Sequence, residues 1–385
     1  MRLNGNGITT TIAMGLTFCL ISPAPAAAQS SGGDGLRGNK PGITKNGGEI
    51  KTTVVDIELL QAANAGNQFA QHWLRVLEPL DVKLRVHAPS SRDKPELKQR
   101  EAGNTRYVTA VGVLERTGTI LFPNKTFEVG DNERLKDWIT ELRTYGALGT
   151  PKGQPLWGLT KEQFDTTHAE LIKPVDFETI DLPVTELVAK LPLSAKFPAQ
   201  WSNAARSRLE TLGSKSKVRY ELKGYSAATV LAIALHESGL GFHPTRLPSG
   251  KINLLIEPHS STEEQWPIGW PLQGQKSKAL PKFFEMIPIE LSDVELKDVL
   301  DAIETLGETP ILIDYPELEA RHIDLQTTKV SFPRKMTTWS IALNRMLAKQ
   351  MLTYVVLQDE GGRVFVWLTS TKAARARTHE REKTE

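Results

Sequence analysis

The feature that most restricts how this chain can fold is an internal repeat. Sliding the sequence on itself lays residues 218–256 on residues 330–368 without a gap, at a constant offset of 112 positions. Identities are few, among them Lys223/Lys335, Leu231/Leu343, Leu235/Leu347, Leu240/Leu352 and Gly250/Gly362. Residue class, however, is kept wherever burial demands it. Tyr220 meets Phe332, Ser226 meets Thr338, and Ile252, Leu254 and Ile256 meet Val364, Val366 and Leu368. Each stretch reads strand, Ser/Thr helix cap, helix, strand, glycine turn, strand.

Each stretch also has a leading half, clearer in the later copy. There a strand at 287–291 precedes Asp293 as helix cap, then Leu296, Val299, Leu300 and Ile303 on one helix face, Gly307 as its stop, and a strand at 311–314. The earlier copy offers 177–182 and then Leu187, Val188 and Leu191, with an insertion expected around 201–216. Strand, helix, strand, strand, helix, hairpin is a compact α+β sandwich, one sheet under two helices. The fold class expected is therefore α+β, with tandem small βαββαβ-like sandwiches behind an N-terminal α+β domain.

With 385 residues the chain is long enough for two or three domains at ~100 to 200 residues each. Residues 1–28 read as a secretory signal peptide. Arg2 precedes an apolar run at 12–21, and Ala26, Ala27 and Ala28 stand before the cut near Ala28. The run is shorter than the ~20 residues of a membrane span; retention as an anchor is the alternative. This places the mature protein in the periplasm or outside the cell. The single cysteine, Cys19, lies inside this segment, so disulfides and Cys chemistry are excluded for the mature chain. Residues 29–49 are Gly, Ser, Asn and Lys and read as a flexible linker. Gly33, Gly35 and Gly38 make a formal GxGxxG there, but no strand precedes it and no helix follows.

Residues 50–148 form the N-terminal α+β domain. Phe69, Trp73, Leu74 and Leu77 predict a helix, 82–86, 107–111 and 119–122 predict strands, and Leu135, Trp138, Ile139 and Leu142 predict a closing helix between Asp131 and Gly146. Residues 90–104 are polar and predict an exposed loop. A connector at 149–174, the first module at 175–258, a Trp/Pro linker at 259–286, the second module at 287–370 and a disordered tail at 371–385 complete the division.

The pattern of residues 287–369, and more loosely 175–258, resembles the short N-terminal domain of secretins and TonB-dependent receptors. It rests on Ile289, Leu291, Val294, Leu296, Val299, Leu300 and Ile303, then 310–314, then Leu343, Met346, Leu347 and 352–356. In that family the module is a periplasmic interaction domain without catalytic residues, so none are carried over. No β-barrel or pore segment follows here, and a pore or receptor role is not implied.

Little chemistry competes with this reading. Lys and Arg total 47 against 45 Asp and Glu, a net charge of +2, which removes any bulk electrostatic case for nucleic acid. His236, Glu237 and His243 fail the zincin spacing because Leu240 stands where the second histidine belongs. Ser226 reads as a helix cap, and Asp314, Asp324, Asp359 and Glu360 as turn and strand-end residues. No catalytic, metal or cofactor residue is assigned. The expected role is a non-enzymatic scaffold or protein-interaction component of the envelope, with a protein partner or self-association. A carbohydrate or peptidoglycan binder contacting its ligand through Trp266 and Trp270 is the alternative. A hydrolase built on scattered carboxylates such as Asp314 is the third reading.

Overall fold

Alternating apolar residues in Val55, Ile57 and Leu59 make β1 (Thr52–Gln61) an interior strand of the first sheet, flanked by parallel neighbours on both sides. The computed structural model describes residues 52–61, 67–91, 93–259 and 264–382, with side chains to 377. The expected signal peptide at 1–28 and linker at 29–49 lie outside the described residues.

After β1 come α1 (Asn67–Leu77), β2 (Lys83–His87), β3 (Glu96–Ala102), β4 (Thr105–Leu114), β5 (Ile120–Phe122), β6 (Lys125–Phe127) and α2 (Asn132–Tyr145). The sheet runs β2-β1-β4-β5-β6, with β3 also on β4. Trp73 and Leu77 of α1 and Leu135, Trp138, Ile139 and Leu142 of α2 close one core over it. Leu74, expected on the buried face of α1, is 50% exposed. The loop expected at 90–104 contains β3, an edge strand with little burial on either side. Such a strand is held by its ladder to β4 and carries no apolar alternation to read.

The connector holds α3 (Lys161–Leu171), started by a capping box between Thr160 and Gln163. The first module follows as α4 (Val184–Lys190), β7 (Ala199–Trp201), α5 (Asn203–Leu212), α6 (Ala227–Glu237), β8 (Leu240–Arg246) and β9 (Ile252–Pro258). Then come β10 (Trp270–Pro271) and α7 (Lys276–Ala279). The second module is β11 (Ile287–Glu295), α8 (Leu296–Leu306), β12 (Ile311–Ile313), α9 (Tyr315–Ala320), β13 (Lys329–Thr337), α10 (Trp339–Ala348), β14 (Leu352–Gln358) and β15 (Val364–Ser370), followed by α11 (Thr371–Glu382).

The two modules share one topology at the offset of 112. β7, β8 and β9 fall on β12, β14 and β15, and α4, α5 and α6 begin where α8, α9 and α10 do. Registers agree as well. Ala199 pairs with Leu254 as Ile311 pairs with Val366, and Leu240 pairs with Pro258 as Leu352 pairs with Ser370. The β11–β13 ribbon has a looser counterpart, in which the Val175 amide donates to the Tyr225 carbonyl and Pro183 bridges Lys217. The insertion expected at 201–216 is therefore no insertion. Those residues end β7, form α5 and lead into the ribbon, as 313–328 do in the second module.

Three further expectations change. Asp293 is not a helix cap; it takes φ 52 inside the bulged end of β11, and α8 starts at Leu296. The Trp/Pro linker is part of the core, contributing Trp266, Ile268, Leu280 and Phe283. The tail opens as α11, which packs on β14 and β15. A single apolar core runs through both modules. Its centre is α6, buried from Ala227 to Leu235, because it lies between its own sheet and that of the second module.

Candidate functional site

The polar side chains that could do chemistry gather where α6 and its ribbon meet the second module. At the C-terminal turn of α6, His236 places Nε2 2.8 Å from Asp314 Oδ1, at the end of β12, and Nδ1 3.2 Å from His259 Nε2. Asp314 is 3% exposed, and its other oxygen accepts a 2.7 Å bond from the Thr369 hydroxyl. Burial opposes its charge, but His236, Thr369 and the Glu317 amide outweigh burial and hold the carboxyl below the usual range. His236 thus bridges Asp314 and His259 through its two ring nitrogens.

Beside this pair, Glu237 has both carboxylate oxygens buried without a hydrogen bond of normal geometry. Burial pushes its carboxyl up to about 7, against the pull of Arg219. Arg219 in turn bridges to Glu319 of α9 at 2.7 Å. The Tyr220 hydroxyl closes the free edge of β12: it accepts from the Ile313 amide at 2.9 Å and donates to the Ile313 carbonyl.

The second gathering is the β14–β15 turn, which inserts into the first module. The Glu360 carboxylate accepts from Trp266 Nε1 at 2.7 Å, Trp270 Nε1 at 2.9 Å, the Thr229 hydroxyl at 2.9 Å and the Ser226 hydroxyl. Asp359 accepts from the Ser226 amide at 2.9 Å and the Arg363 amide at 2.7 Å. Ser226 also caps α6, as its place in the repeat predicts. Arg363 lies 4.2 Å over the Tyr225 ring.

This geometry buries Trp266 at the junction between the modules rather than presenting it as a sugar platform. Trp266 is 3% exposed and its ring lies near-parallel to Trp157 at 5.5 Å and Phe242 at 5.8 Å, which leaves no open surface for a pyranose. Trp270 is half-buried, edge-on to Trp266, with its N–H given to Glu360. Of the other residues considered, Asp324 is exposed and caps a turn, bonding the Gln326 amide. His243 stands 3.4 Å from Glu257 on β8 and β9. Among the described residues, no three His, Cys, Asp or Glu side chains converge as metal ligands.

Sequence reasoning missed the pairings rather than the residues. Residue spacing reads His236 and Asp314 singly, and Glu360 as a hairpin-turn residue. A Glu in a turn of small residues, with two tryptophans four positions apart elsewhere, offered no local signal that they meet. No family model, curated protein or solved structure matches the chain. Among the described residues no helix is long and apolar enough to cross a membrane.

Proposed function

We propose that this chain is an exported, non-enzymatic scaffold of the bacterial cell envelope, working by docking small sheet modules against protein partners. The observation that carries the reading is the use of the polar residues. His236, Asp314, Ser226, Asp359 and Glu360 are spent on joining one module to the next, and each has its hydrogen-bonding capacity taken up by protein. A catalytic centre keeps such groups turned toward a cleft. The resemblance of residues 287–369 to the secretin and TonB short domain and the leader-like residues 1–28 support the compartment.

Cross-linking in intact cells, followed by identification of the adducts, tests the proposal. Discrete protein adducts, retained in His236→Ala and lost when exposed module surfaces are charged, are expected. Turnover of an envelope polymer that disappears with His236→Ala or Asp314→Asn refutes it.

A further inference from the structure

The interface between the modules has a counterpart at each end of the tandem that no third module covers. The first module docks through its ribbon and α6, with Gly224, Ser226 and Thr229 set against the turn at Asp359 and Glu360. The corresponding face of the second module, 112 residues on, is open. There Met336 is 55% and Ile341 48% exposed, at the positions of Gly224 and Thr229, with Met286 and Pro288 exposed alongside. The corresponding turn on the first module is Leu247 and Pro248 instead of Asp359 and Glu360; the Pro248 carbonyl accepts from Arg106 of the N-terminal domain at 2.7 Å, while the Pro248 ring is exposed and Leu247 half-buried.

The two open surfaces have changed together. Inside the chain, hydroxyl donors on α6 face acidic acceptors on the turn; at the open ends, apolar Ile341 and Met336 answer an apolar turn. The open sheet face of the first module follows suit. Leu312, Leu357, Phe365 and Trp367, buried in the second module, become Gln200, which is exposed, and Thr245, Asn253 and Leu255, which are half-buried. The α10 stripe that would lie on them is correspondingly polar, with Asn344, Arg345 and Lys349 exposed. Room is also present. Tyr225 packs against Arg363 and Phe365 in the second module. At the matching place in the first is an open groove of about 780 Å³ lined by Phe197, Lys251, Ile252 and Asn253, with Gln163 and Thr166 of α3 also in its wall.

We infer that this protein self-associates head to tail: the β11–β13 ribbon and α10 of one copy dock on the Leu247–Pro248 turn and open sheet of a second copy. The contact repeats the geometry of the internal joint, with Met336 entering the groove. A face with an apolar anchor and a polar surround makes a reversible contact rather than an obligate one. Being heterologous, it extends into chains or closes into rings. The inference rests on the scaffold reading and names its partner.

The test uses the full chain with Cys19→Ser, which removes its only thiol. Internally, Arg219 meets Glu319 at 2.7 Å; the counterparts across the inferred contact are the exposed residues Ser331 and Ser207. Chains carrying Ser331→Cys are mixed with chains carrying Ser207→Cys and treated with a short bismaleimide. Arg219→Cys with Glu319→Cys in one chain serves as the reactivity control. The expected product is a mixed dimer several-fold in excess of either like pair, lost when Met336→Asp and Ile341→Asp are added and circular dichroism stays unchanged. Absence of the mixed dimer while the control closes overturns the inference. If envelope adducts of other proteins persist in that case, the scaffold reading stands without it; if they are absent too, both fail.

Discussion

Removing the Glu360 carboxylate should loosen the joint between the modules by a predictable amount. Four donors converge on it, and the two indole N–H groups of Trp266 and Trp270 cannot turn elsewhere. In Glu360→Ala each indole loses its acceptor in a largely buried place, at about 1–3 kcal/mol apiece. The Ser226 and Thr229 hydroxyls can rotate and lose less. The expected loss is therefore about 3–5 kcal/mol. Glu360→Gln keeps the shape: its carbonyl can take both indoles while its amide donates to the hydroxyls, so only the charge assistance goes, about 1–2 kcal/mol. Urea unfolding followed by tryptophan fluorescence reads the difference. Because the tandem body and the N-terminal domain have separate cores, two transitions are expected, and only that of the tandem body should move, with its slope unchanged. A Glu360→Ala midpoint indistinguishable from the parent, or a Gln variant as damaged as the Ala variant, refutes the reasoning.

Three other outcomes follow from the geometry. Burial raises the Glu237 carboxyl from its ordinary 4.5 to about 7, so its protonated form stabilises the fold. That contribution, up to about 3 kcal/mol, is complete below pH ~4.5 and is lost as pH rises to ~7; Glu237→Gln should flatten the stability profile in that window and exceed the parent at pH 8. Trp266→Ala should destabilise by about 3–5 kcal/mol in thermal unfolding, as a core deletion does, while retention on cell-wall sugar stays at background for parent and variant alike. Arg246 donates to the carbonyls of Tyr145, Gly149 and Gly158, so Arg246→Met should release the 146–158 segment and be read as faster limited proteolysis there.

What was legible in the sequence follows local periodicity. The buried faces of α2 and α8, the α6 and α10 caps at Ser226 and Thr338 and both hairpins stand where residue spacing puts them, because period 2 and period 3.6 patterns are read within one element. β3 was hidden because it is polar and lies at an edge. β7 and β12 are three residues long, and α9 is only six, too short for a period to show. Asp293 misled because its cap-like spacing belongs to a bulge.

By itself, the sequence determined that one α+β module is built twice and where α6, α10 and the two hairpins start, since these are set by contacts within about forty residues. Only the tertiary structure decided which surfaces meet. His236 and Asp314 are 78 positions apart, and Trp266 and Glu360 are 94 apart. Their pairing depends on the angle at which one rigid body packs on the other. That angle is set by complementary surface shape between side chains that share no spacing, so no window along the chain contains it.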